Sequence, residues 1–326
     1  MKSFGLIFVL YQPTEDFLGN LVKARAACPK VVAVDNSPEA DLRQHERLRE
    51  HGMQVIFNGN EGGLAGAYNK GAEVLLAQQC DLIFLLDQDS DIDASFFDKT
   101  MQAATELSAD TFLIGPKIYE IELQKCMPVI PPGKRFPKPF RIDDQTAGLF
   151  PTLCIISSGS AISAAAYREL GAFREDYFID YIDVEYSLRA NSRNVPVYMN
   201  AAVTLRQTNG RIERHGKLFT TNHAAWRRYY IARNTVHCLH LYRSYWGLHW
   251  FSGLMAIHQA MLVLLFDSQK LKKVTAIACG YLDGMFGRLG TFERRHPHIA
   301  AFCKNIGRKQ IAIDGSPSVM VTEGKS

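Results

Sequence analysis

An unbroken apolar run that ends in a cluster of carboxylates sets the strongest limit on how this chain can fold. Residues 82–86 are all apolar, and Asp87, Asp89 and Asp91 follow directly. A run without polar alternation is typical of a strand covered on both faces of a parallel sheet. Ligands of open α/β sheets collect at the carboxyl ends of such strands. The carboxylates therefore predict a site for a divalent cation that carries an anionic substrate. The alternative is a solvated turn in which Asp91 or Asp93 caps the next helix.

The first half of the chain alternates strand and helix patterns, as expected of a doubly wound sheet. The predicted strands are residues 4–11, 31–34, 54–57, 81–86 and 111–115, and the predicted helices are residues 16–27, a charged segment ending near 51, 63–78 and 94–108. No G-x-G-x-x-G turn follows the first strand, which disfavours dinucleotide binding by that route. The expected fold class is α/β, a Rossmann-like mixed sheet flanked by helices.

The second half of the sheet region is less regular. Five prolines within residues 119–150 predict an excursion from the core. Residues 154–162 predict a strand followed by a small-residue turn, and residues 164–170 predict a helix.

Composition narrows the class of protein. The chain has 326 residues, 47% of them hydrophobic and 21% charged, which is ordinary for a soluble globular protein. Seven cysteines without paired spacing and no signal-peptide pattern predict a reducing, cytoplasmic location and no zinc site. The net charge of +4 is too small to specify a partner. No nucleic-acid-binding module or extended basic stripe is evident, so nucleic acid is not an expected partner.

A second acidic cluster lies almost a hundred residues after the first. Asp180, Asp183 and Glu185 surround the start of a helix predicted near Tyr181. Simple capping of that helix is one interpretation, because unpaired N–H groups at a helix start favour carboxylates. The apolar and aromatic neighbours of Asp183 favour the wall of a site instead.

In their joint order and spacing, these segments resemble the inverting family 2 glycosyltransferases of the GT-A fold, most closely the bacterial rhamnosyltransferase branch. The resemblance covers about residues 4–240. It rests on Val34-Asp35-Asn36-Ser37, residues 58–71, residues 85–90, Ser158-Gly159-Ser160, residues 181–189 and residues 228–234. It implies a catalytic domain at 1–240, followed by a helical region at 241–309 that associates with a membrane and a flexible tail at 310–326.

The resemblance assigns several residues to the nucleotide of an activated sugar. Asp35 is expected to hydrogen-bond the base or ribose, and Asn60, Gly63 and Asn69 to lie along the nucleotide. Glycine would let the backbone approach the nucleotide closely, and a helix start would favour its phosphates.

The carboxylates after the apolar strand are similar to the family's Asp-x-Asp. Asp89 is expected to hold Mg²⁺ or Mn²⁺ against the diphosphate, with Asp87 beside the sugar or ribose. Gln88 between them resembles the rhamnosyltransferase branch. The cation would act as a Lewis acid on the leaving nucleoside diphosphate.

One protein ligand of that cation is not assigned. The family's usual His is absent near Gly210, so Gln207 or His215 substitutes for it, or Asp89, phosphates and water suffice. Arg206 or Arg211 is a further candidate for contact with phosphate.

Asp183 matches the catalytic base of the family, which takes the proton from the acceptor hydroxyl during one inverting displacement. Asp180, three residues earlier, is the competing candidate.

An apolar stretch at residues 246–266 is long enough to span a bilayer, but His249, His258 and Gln259 disfavour a clean span. Flanking basic residues and aromatic residues favour a helix at a membrane surface. A core helix, or a contact in a homo-oligomer, is the alternative.

The resemblance thus implies an enzyme that moves L-rhamnose from dTDP-L-rhamnose to a saccharide acceptor, expected to be polyprenyl-diphosphate-linked, in O-antigen or similar surface polysaccharide synthesis. It would work at the inner face of the cytoplasmic membrane. The alternatives are the same machinery with UDP-galactofuranose, UDP-galactose or UDP-glucose, and a non-catalytic nucleotide-binding scaffold.

Overall fold

The computed structural model describes residues 2–14, 17–90, 92–208 and 223–304, and the backbone alone of residues 213–215 and 218–220. The predicted tail at 310–326 and the candidates Asp91, Arg211 and the His215 side chain lie outside this description. The strands are β1 (Phe4–Leu10), β2 (Val31–Asp35), β3 (Gln54–Phe57), β4 (Leu82–Asp87), β5 (Leu113–Glu120), β6 (Lys125–Cys126), β7 (Leu149–Pro151), β8 (Ala161–Ser163), β9 (Val197–Gln207), β10 (Glu213–His215) and β11 (Leu218–Thr220).

The helices follow the strands in near alternation through the first half. They are α1 (Leu18–Ala27), α2 (Leu42–Glu50), α3 (Gly63–Ala77), α4 (Ala94–Glu106), α5 (Ala164–Leu170), α6 (Ile182–Ser192), α7 (Ala225–Leu241), α8 (Trp246–Leu265), α9 (Lys270–Met285), α10 (Phe292–Arg295) and α11 (Pro297–Lys304). Asp93 caps α4, since its carboxylate accepts the N–H of Phe96 at 3.0 Å.

The main sheet is mixed, in the order β3-β2-β1-β4-β8-β5-β9-β7. The strands β3, β2, β1 and β4 run parallel, and the short β8 pairs antiparallel with both β4 and β5. Residues 82–86 of β4 are buried, as the apolar run predicts. Because β1, β2 and β4 are parallel neighbours, Leu10, Asp35 and Asp87 end at one edge of the sheet. The predicted α/β mixed sheet is confirmed.

The strand predicted at the start of residues 154–162 is wrong, whereas the small-residue turn predicted after it is present at Ser158-Gly159. Only Ala161–Ser163 forms a strand, and the preceding residues form a loop. In that loop the N–H groups of Ile155 and Ser157 donate to side chains of α6, Ser187 and Asp183, both at 3.3 Å, instead of to a neighbouring strand. The backbone at this point is therefore satisfied by the helix that carries the second acidic cluster.

The predicted boundary at residue 240 lies within a packed helix pair. Two glycines of α9 let it approach the α7 backbone: a Cβ at Gly280 would lie 2.4 Å from the Tyr229 carbonyl oxygen, and one at Gly284 would lie 2.5 Å from that of Arg233. The catalytic and C-terminal regions therefore share a core through α7, and the division between them stays a prediction.

Candidate functional site

The turn after β4 is fixed by bonds to its neighbours. Gln88 accepts the N–H of Tyr11, at the end of β1, at 2.8 Å. The Asp87 N–H donates to Ser90 Oγ at 3.1 Å. Asp89 lies exposed in the turn, while Asp87 is partly buried. The turn thus presents Asp89 to solvent and keeps Asp87 against the core.

Asp183 lies in the first turn of α6 and is held by the backbone alone. Its carboxylate accepts the N–H of Val184 at 2.8 Å and of Ser157 at 3.3 Å. It lines a small cavity of about 10 Å³ with Ser157, Ser160 and Ser187. Burial raises the pKa of Asp183, only partly offset by these backbone bonds. A carboxyl group in this setting is poised to take up a proton.

The structure brings the two acidic clusters together. Burial, followed by the charge of Asp89, raises the pKa of Asp87 to about 6, and the charge of Asp183 adds to the effect. The hydroxyl of Ser158 partly offsets it. Like charges within a few ångströms disfavour each other's ionised form. Negative charge therefore accumulates where β4 ends and α6 begins.

This accumulation predicts that Asp87→Asn stabilises the cation-free protein. The folded-state pKa of about 6 exceeds the ordinary 3.8, so wild-type stability should fall as the pH rises from about 4 to about 6 and stay lower above it. The variant lacks this loss and should be more stable at neutral pH by about 2–3 kcal/mol. Thermal unfolding of both proteins with chelator, at pH 4 and pH 7.5, measures this difference in stability. If Asp87→Asn were no more stable than the wild type at pH 7.5, the predicted destabilisation by the Asp87 charge would be contradicted.

Asp180, the competing base, is already engaged. Its carboxylate accepts three hydrogen bonds from the Arg227 guanidinium at 2.9–3.1 Å, and its side chain is 14% exposed. The backbone oxygen of Asp180 accepts a further bond from Asn234. A carboxylate paired in this way is a poor proton acceptor, whereas Asp183 has no such partner among the described residues.

Two residues predicted to lie along the nucleotide also hold the loop before α6. Asn69 is buried: its amide accepts the N–H of Phe173 at 2.8 Å and the hydroxyl of Tyr167 at 3.1 Å, and it donates to the Phe173 carbonyl and to Glu175. Gly63, with φ +62°, packs so tightly that a Cβ would lie 2.1 Å from the Phe178 carbonyl oxygen. Both residues therefore help to fix the loop that leads into α6, the helix that carries Asp183.

The same loop is held from α7. Arg233, fully buried, donates to the carbonyl oxygens of Asp176 and Tyr177, at 3.0 and 2.9 Å. Asn234 donates to the carbonyl oxygens of Tyr177 and Ile179 as well as to that of Asp180. The segment at residues 228–234, which the resemblance included without a role, therefore anchors the turn that delivers α6.

We expect Gly63→Ala to displace this loop. The new Cβ meets a backbone oxygen that cannot move without moving α6, and the residue keeps a positive φ, so stability should fall by more than about 2 kcal/mol. Gly62→Ala is the matched control: it has φ +64°, but its Cβ would meet only the flexible Glu175 side chain, at 2.8 Å. Thermal unfolding measures the stability of both variants. Equal losses of stability in the two variants would contradict the role given to the Phe178 carbonyl.

Asp35 and Asn60 lie at the end of the sheet as predicted, but both side chains have protein partners. Asp35 is 1% exposed; it accepts the N–H of Ser37 at 2.9 Å and pairs with His45 Nε2 at 2.7 Å. Asn60 accepts a hydrogen bond from Asn36 at 3.1 Å. Each Asp35 oxygen can accept a further bond, but the side chain is almost fully covered, so the predicted contact with a base or ribose requires movement of its neighbours and stays a prediction.

The candidate ligands that the structure shows at the predicted cation site are carboxylates. Within the described ranges, no three His, Cys, Asp or Glu side chains converge as a metal site. Gln207 ends β9, beside Glu120 of β5. The Arg206 guanidinium lies 4.3 Å from the centre of the Tyr119 ring. These residues do not identify the remaining ligand of the predicted cation site.

Sequence reasoning missed Tyr68. Its side chain is fully buried, and its hydroxyl makes no hydrogen bond of normal geometry to a described residue. Burial, followed by the charge of Asp87, raises its pKa well above the ordinary value, so the hydroxyl keeps its proton. Tyr68 immediately precedes Asn69 in the segment that carried the resemblance, but its environment depends on β4 and α6, which no local pattern reveals.

Comparison with known proteins assigns this arrangement to a family. Residues 27–171, which contain β2 to β5 with Asp35, Asn60, Gly63, Asn69 and the carboxylates after β4, match the profile described as Glycosyl transferase family 2. Residues 27–171 form a domain of this family. The chain is a glycosyltransferase, and Asp183 lies beyond the matched residues.

Two curated relatives of this family 2 glycosyltransferase cover most of its length. It is 25% identical over 291 residues to the dTDP-rhamnosyl transferase RfbF of Shigella flexneri, across 87% of this chain and 96% of the relative. It is 22% identical over 308 residues to the low-salt glycan biosynthesis hexosyltransferase Agl10 of Haloferax volcanii, across 90% of this chain and 94% of the relative.

A solved structure shares the fold of this family 2 glycosyltransferase. The crystal structure of GalNAc-T7 with UDP, GalNAc and Mn²⁺ superimposes with a TM-score of 0.53 at 12% identity. The match covers 73% of this chain and 48% of that one, so this chain spans about half the length of GalNAc-T7. At this identity the likeness concerns the fold alone, and it agrees with the predicted GT-A architecture.

Proposed function

We propose that this glycosyltransferase moves L-rhamnose from dTDP-L-rhamnose to a saccharide acceptor in one inverting displacement, with Asp183 as general base. One observation carries the proposal. Asp183 is a partly buried carboxylate near Asp87 whose hydrogen-bond partners are backbone N–H groups, while the neighbouring Asp180 is bound by Arg227. Of these two candidate bases, Asp183 is therefore the one that is free to accept a proton near the end of β4.

The raised pKa of Asp183 suits it to this task. A general base works best when its pKa lies close to the working pH, because it is then both ionised and basic enough to accept the proton. The N–H groups of Val184 and Ser157 hold the carboxylate in place without neutralising it. A single displacement needs no covalent enzyme intermediate, so one such group suffices.

The donor set fits a divalent cation. Asp89 and Asp87 offer hard oxygen ligands, and burial, followed by the charge of Asp89, raises the pKa of Asp87, an effect that a bound cation would oppose. Mg²⁺ or Mn²⁺ would be held by Asp89, and would supply positive charge for the leaving diphosphate. The carboxylates and the protonated Tyr68 hydroxyl then orient the donor, and a donor oxygen would give that hydroxyl its missing partner.

Similarity to RfbF across nearly the whole of both chains supports the rhamnosyl donor. Similarity to the hexosyltransferase Agl10 agrees with transfer of another hexose, and a UDP-activated hexose is our second candidate. The purified enzyme, incubated with dTDP-L-rhamnose, UDP-galactofuranose, UDP-galactose and UDP-glucose, should release nucleoside diphosphate from the first alone. Preferential turnover of a UDP-sugar would replace the rhamnosyl proposal with its alternative.

The acceptor is proposed to be a polyprenyl-diphosphate-linked saccharide, and the pathway the synthesis of O-antigen or a similar surface polysaccharide. The reaction would take place in the cytoplasm, at the inner face of the membrane. Transfer of radiolabelled rhamnose to a lipid-extractable product, and not to free saccharide of the same structure, is the expected result.

A further inference from the structure

Helix α8 presents a continuous apolar face to solvent. Six of its apolar side chains, each at least 52% exposed, recur every three or four residues and so lie on one side of the helix. They are Trp246, Trp250, Leu254, Ile257, Met261 and Leu264. Exposed apolar patches of this extent mark an interaction surface. By length and composition α8 could also cross a membrane.

The opposite side of α8 contacts the protein at its start and in its second half. At its start, the Gly247 N–H donates to the Lys134 carbonyl at 3.0 Å. In its second half, Gln259 accepts a hydrogen bond from the Arg228 guanidinium at 2.7 Å, and near its end Leu262 and Val263 are buried. A helix attached at both ends lies flat against its domain. Its apolar face therefore suits a surface parallel to the helix axis, not a bilayer crossed by it.

The charges around this face have one sign. Residues 243–290 contain only two acidic residues, Asp267 and Asp283, and both are at most 2% exposed. The exposed charged side chains of this segment are basic: Arg243, Lys270 and Arg288.

The proline-rich excursion adds to this charge. Residues 127–141 contain no acidic residue and expose Lys134, Arg135, Lys138 and Arg141. The excursion is fixed to the start of α8, where a Cβ at Gly247 would lie 2.0 Å from the Arg135 carbonyl carbon. The Phe136 ring packs edge-on against Phe251, with centroids 6.0 Å apart. The excursion is therefore a basic rim attached to one end of the apolar face.

We propose that the apolar face of α8 and this basic rim together bind the surface of a bilayer containing anionic lipid, with α8 in the plane of the interface. Apolar side chains flanked by Lys and Arg suit the boundary between acyl chains and anionic headgroups. A second copy of this chain fits less well, because a two-fold contact would bring like-charged rims together. The proposal goes beyond the transfer reaction: it places the enzyme in the plane where a lipid-linked acceptor lies.

Co-sedimentation of the full chain with vesicles tests this. Binding should be strong to phosphatidylglycerol with phosphatidylcholine, weak to phosphatidylcholine alone, and reduced by salt. Trp250→Glu with Ile257→Glu should weaken binding more than tenfold, because two large apolar side chains are lost from the interface. Lys134→Ala with Arg135→Ala should weaken it about fivefold per residue. Leu42→Glu is the matched control: Leu42 on α2 is 68% exposed, like Trp250, and its change should leave binding unaltered.

Three results with the soluble protein and vesicles, and a fourth with the membrane-bound protein, would overturn the proposal. The first three are equal binding to neutral and anionic vesicles, a loss with Leu42→Glu as large as with the α8 variant, and a dimer in light scattering that Ile257→Glu dissociates. Resistance of the membrane-bound protein to alkaline carbonate would show a spanning helix instead and also overturn it. Binding of dTDP by the α8 variant should equal that of the wild type. This separates failure of the membrane surface from failure of the proposed reaction.

Discussion

Asp183→Asn should lower kcat by about 10²–10⁴-fold, the contribution typical of a general base, while leaving donor binding unchanged. The amide keeps the size of the carboxylate, and its single oxygen can still accept one of the two N–H groups, that of Val184 or that of Ser157, but it cannot take the acceptor proton. Initial rates with dTDP-L-rhamnose give kcat, and calorimetric titration with dTDP measures binding at the donor site.

Asp180→Asn is the control for this variant. This control variant breaks the ion pair with Arg227. We expect a lower melting temperature and a kcat close to that of the wild type, because Asp180 does not take the acceptor proton. If Asp180→Asn abolished turnover while Asp183→Asn kept it, the two roles would be reversed. Wild-type turnover or biological activity of Asp183→Asn would instead support the non-catalytic scaffold.

Asp89→Asn should have the second large effect, on the requirement for a divalent cation. Loss of an outer-shell partner costs roughly 10–100-fold in metal affinity, and loss of a direct carboxylate ligand should exceed this. Activity measured against Mn²⁺ concentration should therefore show a much higher half-saturating concentration, with lower activity at saturation. The exposure of Asp89 means that the substitution should leave the melting temperature of the cation-free protein close to that of the wild type.

Asp93→Asn provides the matched change four residues later. Asp93 is exposed and caps α4, and asparagine caps a helix about as well, so the Mn²⁺ dependence of this variant should equal that of the wild type. An Asp89→Asn enzyme with an unchanged Mn²⁺ requirement would contradict the assignment of Asp89.

The predictions that held depend on local patterns. The apolar run of β4 specifies burial on both faces, and its carboxyl end places Asp87 at the sheet edge. The helix predicted near Tyr181 begins at Ile182. Both features follow from a few consecutive residues, because strand burial and helix initiation are decided largely within the segment itself.

What the sequence could not reveal depends on distant partners. Asn69 and Phe173 are separated by 104 residues, so a pattern that marks Asn69 as important cannot say that its amide holds a loop. Asp35 is similar, since its partner His45 lies on the buried side of α2. Residues 154–160 have strand-like composition, but α6 satisfies their backbone. The choice between Asp180 and Asp183 likewise required the position of Arg227.

The anomeric configuration of the transferred sugar tests the central claim most directly. Asp183 as sole base in a single displacement requires the product to have the configuration opposite to that of the donor. The one-bond coupling between C1 and H1 of the transferred rhamnose, measured by NMR on the purified product, distinguishes the two anomers. We predict inversion, with product formation lost in Asp183→Asn. A product with retained configuration would contradict the account, because it requires two successive displacements or a different nucleophile.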